Sequence, residues 1–332
     1  MSRRPYLVRL LLCGFLLTAG TLSVPALAAD LATCAAVADP TERLACFDRL
    51  AVQSSTRMTS TSVEAAAKEP QTPMEHRRNR EANMLDNPFS LTAYRPNYIL
   101  PVTYNSKKNI EPFREAYPDV GMDDIEAKFQ ISFKAKVWDI SERWQLWGAY
   151  TQENWWQVYN DDESAPFRET NYQPEAFVSY ALDADVLGFH LPTVNFGLTH
   201  QSNGRGDDLS RSWNRVVAST MLERGNFVTI PRVWWRIPED DEDDDNPRTD
   251  DFYGYGDLRV AYNWHDMTFA TLVRNNLRSD ENRGAVQLDW SFPLNRRFKG
   301  YVQWFYGYGE SLIDYDVKTN RIGVGVMLTD WL

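Results

Sequence analysis

Three residues near the middle of the chain have side chains that can together perform nucleophilic chemistry: His200, Ser202 and Asn214. A serine hydroxyl is a poor nucleophile until a base removes its proton, and an imidazole can be that base. The imidazole needs a third group that fixes its tautomer, and the amide oxygen of an asparagine can accept its second N–H. A set of this composition catalyses acyl transfer. The alternative for His200 is a lone polar side chain at a membrane interface.

The strand predicted over 191–202 places two of these residues on one face. Side chains alternate between the two faces of a β-strand. His200 and Ser202 therefore continue the apolar face that carries Phe196 and Leu198. The residues between them form a second face that is small and polar.

The strand predicted over 211–222 supplies the third residue. Asn214 shares its face with Val216. If the hairpin between the two strands folds symmetrically about Asp207, His200 lies directly opposite Asn214. Directly opposed residues on one face of an antiparallel pair are close enough to interact. The three side chains are thus predicted to converge on the apolar side of the sheet.

The sequence over 88–332 contains further strands of the same kind. The segment 127–137 alternates strictly between apolar and polar residues, and its length suits a tilted strand that crosses a membrane. Twelve strands are predicted, an even number, as a closed antiparallel barrel with both chain ends on one side requires. The predicted fold class is all-β, a 12-stranded antiparallel transmembrane β-barrel with a short N-terminal periplasmic extension. The strands are 96–105, 127–137, 143–154, 174–183, 191–202, 211–222, 227–237, 254–264, 267–276, 285–293, 298–308 and 319–331.

The connections predict which end of the barrel faces outward, because outer loops are longer than inner turns in outer-membrane barrels. Tryptophans near the predicted strand ends are typical of the aromatic girdles at membrane interfaces; they are Trp144, Trp147, Trp155, Trp156, Trp234, Trp235 and Trp331. A soluble β-sandwich is the weaker interpretation. The outer loops are 106–126, 155–173, 203–210, 238–253, 277–284 and 309–318, and the inner turns lie near 138–142, 184–190, 223–226, 265–266 and 294–297.

Composition excludes several other classes of protein. The chain has 332 residues and a formal net charge of −11, and its mean hydropathy is −0.49. A bundle of membrane-spanning helices needs apolar runs of about 18–20 residues, and none follows the N-terminal segment. A nucleic-acid-binding protein would show a basic face. Three cysteines are too few for a disulfide scaffold.

The N-terminal region is predicted to direct export. Residues 1–28 combine arginines, an apolar core and a small-residue cleavage site, which is the pattern of a signal peptide. A small Cys-bearing helical element follows over 29–51, in which a Cys34–Cys46 disulfide is favoured by the oxidising compartment and two free thiols are the alternative. Residues 52–87 are predicted to be a flexible linker, with at most a short helix around 63–68.

An acidic run occupies one predicted outer loop. Residues 239–251 contain nine acids and Arg248, a net charge of −8. We interpret the run as a solvated loop kept open by self-repulsion. A dedicated calcium loop is not indicated, because no spaced set of ligands is present.

The hairpin that carries the three candidate residues resembles the active-site hairpin of the outer-membrane phospholipase A family. The matching segments are His200–Arg205 and Ser210–Arg215. Three further segments resemble the same family, and the resemblance covers roughly 88–332. These further segments are Tyr150–Gln152, Ser164–Tyr172 and Gly307–Tyr315.

This resemblance implies a calcium-dependent enzyme of the phospholipase A1/A2 type, which hydrolyses acyl esters of phospholipids and lysophospholipids in the bacterial outer membrane. It does not indicate the positional selectivity. It implies that Ser202 is the nucleophile, that His200 is the base, and that Asn214 orients the imidazole. It also implies that the active form is a homodimer.

The same resemblance implies a metal site. Ca²⁺ would be held by the hydroxyl of Ser210 and the main-chain carbonyl of Arg205, and Ser164 of the partner subunit would complete the site. Gln152 matches a glutamine at the family's dimer interface, where an amide in lipid would bind a partner amide.

Two non-enzymatic alternatives remain open at the level of sequence. The first is a narrow porin, whose interior is filled by charged side chains such as Arg211, Arg215, Arg232 and Asp289. The second is a structural barrel in which His200 and Ser202 are relics of a site.

Overall fold

The computed structural model describes residues 33–51, 72–85, 87, 89–240, 242 and 244–331. The chain divides into two compact units, Met1–Pro70 and Gln71–Leu332. The predicted signal peptide over 1–28 and the short helix around 63–68 lie outside the described residues. No helix in the described ranges is long and apolar enough to span a membrane.

The first unit contains the Cys-bearing element. The disulfide predicted between Cys34 and Cys46 is present, with the two Cα atoms 5.5 Å apart. Residues 40–51 are helical. The helix begins at this point because the Asp39 carboxylate accepts two backbone N–H bonds at 2.8 and 3.0 Å, and because Pro40 suits the first helical position.

The second unit contains twelve strands, within its described residues, that close into an antiparallel barrel. Each strand pairs with its neighbours in sequence, and the last pairs with the first. The two-residue strand Thr92–Ala93 joins the edge of β2, and Leu222–Arg224 extends β6. The strands are β1 Asn97–Asn105, β2 Ile125–Asp139, β3 Trp144–Trp156, β4 Phe167–Val186, β5 Phe189–Ser202, β6 Ser212–Thr220, β7 Phe227–Ile237, β8 Gly256–Trp264, β9 Met267–Asn275, β10 Gly284–Pro293, β11 Lys299–Tyr308 and β12 Lys318–Thr329.

The alternation of side chains separates an apolar wall from a polar interior, as predicted. Lys128 on β2 and Arg321 on β12 are each 1% exposed, whereas Ile131 and Val324 on the same strands are about half exposed. This is the arrangement of a membrane barrel, in which apolar residues face lipid and polar residues face the lumen.

Ion pairs fill the outer half of the lumen. Arg168 binds Glu126 at 3.0 Å and Asp314 at 2.8 Å. Arg321 also binds Glu126, at 2.7 Å. Each of these groups is almost completely buried, and mutual pairing offsets the cost of removing their charges from water.

A helix crosses the inner mouth of the barrel. This helix, α1 (Pro73–Leu85), begins with reciprocal bonds between Thr72 and Glu75, which form a capping box. The prediction of a flexible linker over 52–87 is therefore wrong for these residues. The helix has few apolar residues, so the sequence lacks the apolar periodicity that would predict it.

Polar contacts hold α1 to strands on both sides of the mouth. Glu81 binds Lys134 of β2 at 2.6 Å, and Arg78 binds Glu223 at the inner end of β6. Arg77 donates to main-chain carbonyls near both ends of the barrel chain, those of Ala93, Tyr94, Asp330 and Trp331. The position of the helix is thus fixed by hydrogen bonds to residues distant in sequence.

Two connections next to β4 are shorter than predicted. The outer loop expected over 155–173 spans only 157–166, and the inner turn expected over 184–190 is reduced to 187–188. β4 has 20 residues, more than a membrane crossing requires. Its outer part carries polar residues, which resemble a loop in sequence although they continue the strand pairing.

The prediction that the seven tryptophans form interface girdles is wrong for four of them. Trp147, Trp155 and Trp234 are 5%, 0% and 5% exposed and face the lumen. Trp331 lies against the lumen-facing Arg259, whose guanidinium is 4.9 Å above its ring. Cations stack on their rings, for example Lys128 over Trp155 at 4.9 Å and Lys134 over Trp147 at 4.4 Å. Indole faces attract cations, so these aromatics suit a charged interior as well as an interface.

Candidate active site

The hairpin of β5 and β6 brings two of the three candidate residues into contact. His200 lies directly opposite Asn214 in the strand register, as predicted from symmetry about Asp207. The Nδ1 atom of His200 is 2.9 Å from the Oδ1 atom of Asn214. His200 is exposed on the outer wall, and Asn214 is half-buried. The histidine is therefore hydrogen-bonded to Asn214 and is not a lone polar residue.

Ser202 lies two residues beyond His200 on the same face. In the described part of the chain, His200 bonds to Asn214 and forms no bond to the Ser202 hydroxyl. Hydrogen bonds to a catalytic nucleophile are often long in a free enzyme and shorten in the substrate complex. Ser202 is opposite Ser212 on β6 and opposite Tyr172 on β4.

Asn203 organises the loop that follows the candidate nucleophile. Its side-chain oxygen accepts bonds from the backbone N–H groups of Arg211, at 3.0 Å, and Arg205, at 3.3 Å. Its amide nitrogen donates to the carbonyl of Leu209 at 2.8 Å. Gly204, with φ of +65°, supplies the left-handed turn that brings these groups together. The loop is therefore held in one shape by a buried side chain.

Two of the three predicted calcium ligands belong to one connection, that between β5 and β6. Arg205 and Ser210 both lie in this loop, and the guanidinium of Arg205 donates to the carbonyls of Phe167, at 3.0 Å, and Arg168, at 2.6 Å. Ser164 lies in the preceding outer loop instead. It is exposed, in a turn with φ of 60°, as a residue offered to a second chain would have to be.

The acidic run folds back over the site, so the prediction of a freely solvated loop is wrong for several of its residues. The Asp245 carboxylate accepts a bond of 2.5 Å from the Ser210 hydroxyl. Asn246 accepts one of 3.0 Å from the backbone N–H of Ser212. Asp244 pairs with Arg236 of β7 at 2.6 Å. Asp241 and Asp243, which belong to the same run, lie outside the described residues.

Glu239 contacts Asn214, and this contact was not predicted from the sequence. The Nδ2 atom of Asn214 donates to the Oε1 atom of Glu239 at 2.8 Å. The alternation of side chains along β7 could have indicated this contact. Ile237 is paired with Asn214, and the residue two positions after Ile237 lies on the same face. Burial also raises the pKa of Asp250, which belongs to the same loop.

Comparison with known proteins decides the family. The family model for phospholipase A1 matches residues 74–328. The chain belongs to the phospholipase A1 family. Phospholipase A1 of Proteus vulgaris is 40% identical over 257 residues, which cover 75% of this chain and 86% of the relative. Phospholipase A1 of Escherichia coli K12 is 38% identical over 254 residues, with coverage of 75% and 86%.

Solved structures agree with this assignment. The outer membrane phospholipase A from Escherichia coli is 36% identical with a TM-score of 0.69, covering 74% of this chain and all of that structure. A dimer of the Salmonella typhi outer membrane phospholipase with bound calcium is 38% identical with a TM-score of 0.70, covering 75% of this chain and 96% of that one. The prediction of an outer-membrane barrel of twelve strands is thereby confirmed.

Proposed function

We propose that this member of the phospholipase A1 family hydrolyses the acyl esters of phospholipids and lysophospholipids from its lipid-facing wall. The observation that carries the proposal is the bond of 2.9 Å between His200 and Asn214, with Ser202 next along the same outward face. A site that faces lipid implies an ester within a lipid.

The proposed reaction uses these three side chains in sequence. The Nδ1–H of His200 is donated to Asn214, which leaves Nε2 free to take the proton of Ser202 as Oγ bonds to the ester carbonyl carbon. The tetrahedral intermediate collapses, the bond to the glycerol oxygen breaks, and His200 returns the proton to that oxygen. Water, activated by the same imidazole, then hydrolyses the acyl-serine and releases the fatty acid.

The wall below the site suits an acyl chain. Phe196 and Leu198 of β5 and Trp235 of β7 are 57%, 58% and 58% exposed on the outer wall. Phe196 and Leu198 share the face of His200, so they form an apolar path that ends at the catalytic set. A chain that lies on this path brings its ester to the level of the serine.

We also propose that the enzyme binds calcium, because the predicted ligand atoms are oxygens. No three His, Cys, Asp or Glu side chains are grouped for a metal in the described ranges. The hydroxyl of Ser210 and the carbonyl of Arg205 are hard oxygen donors, which suit Ca²⁺, and the carboxylate of Asp245 lies beside Ser210. When bound, Ca²⁺ supplies positive charge that stabilises the developing oxyanion.

The register supports activity as a homodimer. Gln152 on β3 is opposite Tyr172, which is opposite Ser202, so the three form one row across the outer wall. A second copy that packs on Gln152 would lie beside the catalytic serine and would bring its own Ser164 toward the site. Dimerisation would then enclose the acyl chain and complete the calcium site, which would make it the step that activates the enzyme. A monomer locked by cross-linking that works at the dimer's rate would contradict this.

The contents of the lumen weigh against the porin alternative. Arg232 is paired with Asp257 at 2.6 Å, and Asp289 accepts a bond of 2.6 Å from the hydroxyl of Tyr301. Arg215 is buried in the same interior, whereas Arg211 bonds to loop carbonyls at the outer end. With α1 across the inner mouth, we expect single-channel recordings to show no stable open state.

The experiment that tests the enzyme proposal compares two serines that face each other. Release of fatty acid from phospholipid micelles is measured with calcium and with chelator, for the wild type, Ser202→Ala and Ser212→Ala. We expect calcium-dependent release that Ser202→Ala abolishes. Ser212→Ala, which changes the same chemical group directly across the hairpin, should retain it. Full activity of Ser202→Ala would end the assignment of the nucleophile.

A further inference from the structure

Asn214 is held at both ends of its amide. Its oxygen is 2.9 Å from Nδ1 of His200, and its nitrogen donates to the carboxylate of Glu239 at 2.8 Å. Glu239 follows the end of β7 and is half-buried. The proposed reaction uses only the first of these two bonds.

The second bond matters because an asparagine amide can present either of its ends to a partner. The oxygen accepts hydrogen bonds and the nitrogen donates them. If the nitrogen of Asn214 faced His200, Nδ1 would have to accept and the proton of the neutral imidazole would lie on Nε2. The Nε2 atom would then have no free lone pair for the proton of Ser202. An asparagine can therefore select either tautomer of the histidine, whereas an ionised aspartate, which only accepts hydrogen bonds, selects one.

An ionised carboxylate removes this ambiguity. It only accepts hydrogen bonds, so Glu239 requires the nitrogen of Asn214 to face it and leaves the oxygen for His200. The bond from amide to carboxylate is also charge-assisted, which makes it stronger than a bond between neutral groups. We propose that Glu239 is a positioning residue that fixes the amide orientation of Asn214 and, through it, the tautomer of His200. This inference rests on the proposed function, whose reaction needs that tautomer.

The surrounding loop holds Glu239 in position. Arg236, three residues earlier, pairs with Asp244 and donates to the carbonyl of Asn246 at 3.1 Å. Asn246 in turn accepts a bond from the backbone of Ser212. The loop is therefore pinned to β6 and β7 on either side of the carboxylate. The competing explanation for Glu239 is that it only helps to fasten this loop.

Steady-state kinetics of substitutions at Glu239 test the inference. A hydrogen bond to a charged group contributes enough that Glu239→Ala should lower kcat by roughly 10- to 100-fold, with KM nearly unchanged. Glu239→Gln keeps an oxygen that can accept from Asn214, so it should recover part of the loss. The control is Glu242→Ala, which removes an exposed carboxylate of the same run and should leave kcat unchanged.

A double-mutant cycle separates positioning from loop fastening. If Glu239 acts through Asn214, Glu239→Ala should have no further effect on kcat in the Asn214→Ala background. An equal loss in both backgrounds would overturn the inference, and so would a wild-type kcat in Glu239→Ala. Either result with an inactive Ser202→Ala would leave the proposed function intact. Activity in Ser202→Ala would instead reject the function itself.

Discussion

The two faces of the hairpin formed by β5 and β6 differ in almost every respect. On the lumen face, the side-chain oxygen of Gln201 accepts bonds from Trp213, at 3.0 Å, and from Arg215, at 3.1 Å. The guanidinium of Arg215 also stacks on the indole of Trp213 at 3.8 Å. On the outer face, His200 is exposed, and its one side-chain hydrogen bond within the described residues is to Asn214.

The difference explains how a membrane barrel could position the proposed site on its outer wall. Each candidate catalytic residue is adjacent in sequence to a buried residue of the lumen face, because side chains alternate along a strand. The packed interior fixes the backbone, and the backbone fixes the direction of the outward side chains. Sites built on rigid strands are more accurately placed than sites on loops. The outer face can therefore stay open to lipid.

The largest effect is expected from the outer face. His200→Asn removes the proposed base and should lower hydrolysis by roughly 10⁴-fold or more. The temperature of unfolding should stay unchanged, because an exposed side chain contributes little to stability. Assays of fatty-acid release and thermal unfolding in detergent check the two halves. If the unfolding temperature of His200→Asn were many degrees lower than that of the wild type, the outer face would be structural as well as catalytic.

The lumen face should show the opposite pattern. Trp213 is completely buried in a cluster with Trp234 and Tyr253, so Trp213→Ala should lower the free energy of unfolding by about 3–5 kcal/mol. Well below its unfolding temperature, the variant should still hydrolyse lipid far faster than His200→Asn. Thermal unfolding of Trp213→Ala is compared with that of Trp235→Ala, whose indole is 58% exposed on the outer wall. Equal decreases in the unfolding temperature of the two variants would contradict the distinction between a structural lumen face and an outer face that contributes little to stability.

The barrel and the pairing in the hairpin could be predicted because both follow from local alternation. A period of two fixes which residues share a face, and a short symmetric connection fixes the register. These two rules placed His200 opposite Asn214 without any tertiary information. The same rules place Glu239 beside Asn214, but they had to be continued past the end of β7, where an acidic run suggested a solvated loop.

The remaining features could not be predicted because they depend on partners distant in sequence. The helix α1 is held by main-chain carbonyls and charges on several strands, which leave no apolar pattern. The sequence predicts an interfacial position for Trp155, but indole suits a cationic interior equally well, and only the position of Lys128 distinguishes the two. The fold of the acidic run likewise depends on Ser210 and Arg236, which lie on other elements.

The smallest effect is expected where the acidic run meets the proposed calcium ligands. Asp245 lies at the exposed rim and accepts a bond from Ser210. The negative charge of Asp245 should strengthen the binding of a cation at that hydroxyl by about 1 kcal/mol, the Coulomb energy of two exposed charges in contact. Asp245→Asn should therefore raise the calcium concentration for half-maximal hydrolysis roughly fivefold. Calcium titrations at fixed ionic strength measure this value.

Asp240→Asn is the matched control for this substitution. It removes the same charge from an exposed position of the same run, without a bond to Ser210. A smaller shift in Asp240→Asn than in Asp245→Asn would mean that the contact with Ser210 matters beyond the diffuse field of the loop. Equal shifts would mean that the run acts on calcium only through its net charge. In that case the fold of the loop over the site would serve Asn214 alone, through Glu239.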